Sequence, residues 1–90
     1  MIKSLVTHKV EDVLAWKEAF VKHEEARKNA GMISASIGNL HGDPSHVYIL
    51  SEWPDAETMN NFLSNPAVME TMKNGGVISK PEVMILETFN

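Results

Sequence analysis

Two four-residue runs, Val47-Tyr48-Ile49-Leu50 and Val83-Met84-Ile85-Leu86, are apolar at every position. A strand of an antiparallel sheet with one wet face alternates apolar with polar, so a run without alternation predicts burial on both faces. The chain has 90 residues, enough for one domain and one modest core, and we read residues 1–90 as a single domain. Covering both faces of a sheet is then the problem that this chain must solve.

The remaining periodicities say what the chain has available. Ile2 to Val10 alternates Ile2, Ser4, Val6 and His8 against Lys3, Leu5, Thr7 and Lys9, the period of a strand. From Asp12 to Asn29 the spacing changes to Val13, Trp16, Phe20, His23 and Arg27, one stripe of a helix, with Asp12 as N-cap and Asn29-Ala30-Gly31 as its stop. Met32–His41 and His46–Trp53 read as two strands closing a hairpin through Gly42-Asp43-Pro44-Ser45. Pro54 fits the first turn of a second helix, which Ser64-Asn65-Pro66 interrupts and restarts before Asn74-Gly75-Gly76 ends it. Val83–Leu86 is the fourth strand.

The order is strand, helix, strand, strand, broken helix, strand. This is the α+β, ferredoxin-like βαββαβ arrangement, with right-handed crossovers placing both helices on one face of a four-stranded antiparallel sheet. No segment remains for the second face, so a second copy of the sheet is the expected cover. Burying ~600 Å² of apolar surface per chain gives on the order of 15 kcal/mol before association costs. The sequence therefore predicts a homodimer through the sheet face.

Composition excludes several functions. Net charge is −4 with no run of Lys or Arg, which argues against nucleic acid as a partner. The absence of Cys removes disulfides, thiolate catalysis and Cys-ligated metals. MIKSLVTHKV has no long apolar signal-peptide core, and no apolar stretch approaches the ~20 residues of a membrane span, so the expectation is a cytoplasmic protein without a membrane partner. His41 and His46 could share a metal if they paired across the hairpin, with Asp43 beside them, but a site needs three or four ligands, and turn chemistry explains the stretch. We read the two histidines as hairpin ends and expect no metal.

The candidate site residues lie elsewhere. His8 shares the Ile2/Val6 face near the end of the first strand, where a cleft between sheet and helices would open, and it is the preferred general base. Tyr48 could donate a hydrogen bond inside that cavity, and Trp16 and Trp53 could wall it, although all three suit a core equally well and for the tryptophans a core placement is favoured. His23 and Arg27 continue the apolar helix stripe, so His23 could be a second base with Arg27 holding an anionic substrate oxygen. Alternatively the stripe ends after Phe20, with His23 at the boundary and Arg27 reaching for water; amphipathic helices commonly carry such residues at their edges, which favours this placement.

THKVEDVLAWKEAF, DPSHVYILSEWPDAETMNNFLSNPAVMETM and GGVISKPEVMILETF together resemble the dimeric α+β barrels, and among them the small proteins similar to antibiotic-biosynthesis monooxygenases. The resemblance implies a dimeric α+β barrel and is compatible with several activities: oxygenation of polycyclic phenols without metal or flavin, haem degradation, isomerisation, or none assigned. The haem-degrading relatives carry an Asn on the first strand, a Trp in the second helical region and, further on, an iron-ligating His. Here Ser4–His8 holds no Asn, and the corresponding positions are Phe62 and Met72, so haem degradation is not expected. Two functions stay open. One is a cofactor-independent monooxygenase or isomerase acting on a small aromatic or enolisable substrate. The other is a non-catalytic dimer that binds a small ligand or has a stress-related role.

Overall fold

The computed structural model describes residues 1–89. Its elements are β1 (Ile2–Lys9), α1 (Val13–Lys22), α2 (Glu24–Asn29), β2 (Ser34–Leu40), β3 (Asp43–Trp53), α3 (Ala56–Leu63), α4 (Pro66–Asn74) and β4 (Glu82–Glu87). The strands form one antiparallel sheet in the order β2-β3-β1-β4, so β1 is central although it is first in sequence. This is the expected ferredoxin-like α+β fold.

Register turns the alternation of β1 into two faces. Ser4 lies opposite Ser51 and Ile85, Val6 opposite Ile49 and Val83, and His8 opposite Val47, all on the helix side. On the other side Leu5 lies between Leu50 and Met84. The helix-side core falls into two clusters. Val10, Trp16 and Val47 form one, joined by Phe20, Ile37 and Ile49; Met32, Trp53 and Met59 form the other, joined by Ile2, Phe62 and Leu63. Between them the inward row of the sheet runs Ala35, Ser51, Ser4 and Ile85, and the side chains of the first three are too short to fill the space a Leu or Ile would occupy.

Three local features differ from the sequence reading. The first helix is two helices: His23 leaves helical geometry at φ −98°, ψ 14°, and Glu24 and Glu25 open α2 where its dipole favours acids. The hairpin turns at His41-Gly42, with Gly42 at φ +83°, and Asp43-Pro44-Ser45 belongs to β3. A register shift at Asn39/Leu40 bulges β3 away from β2 there, and β3 continues alongside β1, with His46 opposite Lys9. His41 and His46 therefore do not face each other, and His46 Nδ1 lies 3.8 Å from Asp43 Oδ2. Pro54 precedes the second helical region; Asp55 is the N-cap, accepting the Thr58 N–H at 2.7 Å. The restart at Asn65 and Pro66 occurs as read, with the Asn65 side chain capping α4.

The end of α2 is fixed by a glycine. The Gly31 N–H bonds to the Lys28 carbonyl and the Met32 N–H to the Arg27 carbonyl, a Schellman closure with Gly31 at φ +105°. A Cβ there would lie 2.5 Å from Thr58 Cγ2 as well as imposing backbone strain. Gly31→Ala is expected to cost about 1–3 kcal/mol in urea unfolding; unchanged stability would contradict this local geometry.

β4 is exposed along its whole length. Met84, on the side away from the helices, is 58% exposed, and Val83 and Ile85, on the helix side, are 48% and 54% exposed. Its apolar run is thus uncovered on both faces within one chain. Among the described residues, no helix is long and apolar enough to cross a membrane.

Candidate functional site

A cavity of about 360 Å³ opens between the sheet and the helices, over the short row of Ser4 and Ser51. Its position follows from the split core: the first cluster supplies Trp16 and Phe20 on one side, the second supplies Trp53 and Phe62 on the other, and α4 adds Val68 and Met72. The volume suits a small organic molecule with one or two rings.

The polar groups at the floor are of two kinds. Ser4 and Ser51 share a 2.6 Å hydrogen bond between their hydroxyls, and Trp53 Nε1–H donates to Ser51 Oγ at 2.9 Å. These three satisfy one another, and all three side chains are buried. His8 does not join them. It is 1% exposed, and among the described residues neither of its ring nitrogens has a hydrogen-bond partner. Its ring meets Trp16 edge-on, with centroids 5.9 Å apart and planes at 73°. Burial, and to a lesser extent the neighbouring His46, lowers its pKa below the ordinary value of 6.5. His8 is therefore a neutral imidazole at pH 7, with one free lone pair and one free N–H.

This shift makes stability depend on pH. The folded-state pKa of His8 lies below its unfolded value, so above about pH 6.5 both states are neutral and there is no penalty. As pH falls below that value the unfolded chain takes up a proton that the folded chain resists, and stability declines until the folded-state pKa is passed. Melting temperatures measured from pH 7.5 downward are expected to fall more steeply below pH 6.5 for the wild type than for His8→Gln. Parallel curves would show that His8 carries no such penalty.

Of the sequence-derived candidates, His8, Trp16, His23, Arg27 and Trp53 line this cavity and Tyr48 does not. The correction for Tyr48 follows from strand alternation: Val47 and Ile49 face the helices, so Tyr48 points to the opposite side, where its ring covers Gly38. His23 is exposed and sits at the break between α1 and α2, at the rim. Arg27 is half-buried, donates from Nη1 to the Phe20 carbonyl and stacks its guanidinium 3.5 Å over the Phe20 ring. Ser4, Ser51, Phe62 and Met72 were not among the candidates. For Ser4 a signal existed: Ile2-Ser4-Val6-His8 places two polar side chains on the face that the helices cover. Among the described residues, no three His, Cys, Asp or Glu side chains come together as a metal site would require.

Solved proteins similar to antibiotic-biosynthesis monooxygenases share this ferredoxin-like architecture. A candidate antibiotic biosynthesis monooxygenase from Bordetella bronchiseptica superposes with a TM-score of 0.83 at 13% identity, covering 99% of this chain and 97% of that one. One from Deinococcus radiodurans gives 0.77 at 16% identity over 100% of this chain and 94% of that one. SnoaB, a cofactor-independent oxygenase from Streptomyces nogalater, gives 0.78 at 10% identity over 99% and 93%. At these identities the likeness establishes the fold. No protein-family profile matches the chain, and no curated protein does.

Proposed function

We propose that this protein is a cofactor-independent monooxygenase that oxidises a small aromatic or enolisable substrate in the cavity above Ser4 and Ser51, with His8 as the base. The observation that carries the reading is the state of His8: buried, neutral at pH 7 and unpartnered within the protein, beside a space large enough for a substrate. A buried polar group normally finds a partner, and one without is costly unless a ligand supplies it. A phenol or enol whose acidic proton meets the free lone pair of His8 would do so. Proton removal leaves an electron-rich carbanion that can reduce dioxygen directly; recombination gives a peroxide, and loss of water converts CH₂ to C=O. The apolar walls suit such chemistry by keeping water from the anion. His23, at the rim, would relay a proton to solvent. SnoaB, a cofactor-independent oxygenase on the same fold, is consistent with this reading.

The test is oxygen uptake. Chelator-treated protein supplied with a bicyclic phenol is expected to consume one O₂ per ketone formed, without added flavin or metal. Binding of such phenols with no uptake would leave the alternative of a non-catalytic ligand-binding protein.

The homodimer belongs to the same proposal. On the side away from the helices, Leu50, Leu5 and Met84 form one continuous row across three strands, with Leu86 beside them. A second copy of the same face, related by a two-fold axis, would cover this row and the exposed outer side of β4.

A further inference from the structure

We infer that the ligand of this cavity is an amphipathic monoanion, a flat apolar body bearing a carboxylate that Arg27 holds at the mouth. The inference rests on the cavity being the ligand site, as proposed above, and goes further by assigning the charge and orientation of what enters it.

Arg27 is the only permanently charged residue lining the cavity: no Asp, Glu or Lys contributes to the lining among the described residues. Nor, among the described residues, does Arg27 form an ion pair there. The nearby acid Glu24 is engaged by Lys28 at 3.4 Å. Burial lowers the Arg27 pKa and Glu24 partly offsets this, but a guanidinium keeps its charge throughout the physiological range. A half-buried cation without a carboxylate partner, beside an apolar cavity, sets a positive potential that an anion would lower.

The geometry narrows the anion. One N–H of Arg27 is committed to the Phe20 carbonyl and one face of the guanidinium to the Phe20 ring, so the group is held in place, and among the described residues its other donors have no partner. A planar fork of this kind matches the two oxygens of a carboxylate. A phosphate dianion would call for a second fixed cation, and the lining contains none. Ala26 on α2 and Ala30 at its C-cap, both small, line the cavity with Arg27.

Orientation follows from the aromatic wall. His8 contacts Trp16 at 5.9 Å, Trp16 contacts Phe20 at 5.8 Å, and Phe20 carries Arg27 at 3.5 Å. Base and cation are thus separated by two aromatic side chains. A ligand anchored at Arg27 that also reaches His8 runs along this aromatic wall, with its carboxylate at the end remote from the reacting carbon.

Binding of 2-naphthoate and of its neutral isostere 2-naphthamide, measured by calorimetry, tests this without any turnover. The wild type is expected to bind the acid about tenfold more tightly than the amide, the usual margin for a charge-assisted hydrogen bond over a neutral one. Arg27→Gln is expected to abolish the preference while leaving the amide within about twofold, and Arg27→Lys, which keeps the charge but not the fork, to retain part of it. His8→Gln is expected to retain all of it. Equal affinity for the two probes in the wild type, absence of binding by both, or a preference undiminished in Arg27→Gln or Arg27→Lys would overturn the inference. The wild-type comparison and Arg27→Lys decide the matter even if Arg27→Gln fails to fold. Oxygen uptake with no acid preference would remove the Arg27 assignment and keep the oxygenase; acid preference with no uptake would do the reverse.

Discussion

Turnover in His8→Ala is expected to fall by about 10²–10⁴-fold, the usual contribution of a positioned general base, while ligand affinity changes by no more than a few-fold. The separation follows from what the side chain touches. Its ring contributes one edge contact to Trp16, whereas the apolar enclosure comes from Trp16, Phe20, Phe62 and Met72, which the substitution leaves in place. At the cavity floor proton abstraction has no substitute, because the Ser4 and Ser51 hydroxyls are engaged with each other and with Trp53 and a hydroxyl is a poor base in any case, while His23 lies at the rim. His8→Gln, closer in volume but unable to accept a full proton at neutral pH, is expected to be equally slow. If either variant keeps wild-type kcat, His8 is a buried residue and nothing more.

The second large effect is on assembly. Sedimentation of the wild type at micromolar concentration is expected to give twice the chain mass, and Leu50→Asp to give a monomer. Leu50 sits in the middle of the sheet, beside Leu5, on the side that no helix covers. A carboxylate there leaves one chain's own core untouched but would be buried unpaired, twice, in a two-fold interface, at a cost of about 3–5 kcal/mol for each. Ile49, the next residue, points to the helices and packs with the Trp16 cluster, so Ile49→Asp is expected to damage the folded chain itself. A monomeric wild type would refute the two-fold arrangement; a Leu50→Asp protein that stays dimeric would move the interface elsewhere.

The difference between residues 49 and 50 also shows how far the sequence could be read. Where side chains repeat with a single period, as in β1 or in the helix beginning at Asp12, the element and its buried face were both legible. The apolar run of β3 was legible as a strand, but alternation cannot say which of two apolar sets faces in, and Tyr48 was therefore assigned to the wrong side. The hairpin misled for another reason. Asp-Pro-Ser has strong turn chemistry, yet Gly42 at φ +83° makes the tighter turn, and the pairing of Asp43 with Leu40 and the Val10 N–H bond to the Ser45 carbonyl draw Asp43-Pro44-Ser45 into β3. The break at His23 has no glycine or proline to announce it. The cavity was hardest to foresee, because it depends on Ser4 and Ser51, 47 residues apart, meeting in register.

That meeting divides the interior. Trp16 and its neighbours on one side of the serine row, and Trp53 and its neighbours on the other, form separate packed groups joined through the strands beneath them. A ligand lying across the row would touch both groups at once and supply the contacts that Ser4 and Ser51 are too short to make. It would then act as a keystone, and resistance to unfolding would rise with its concentration.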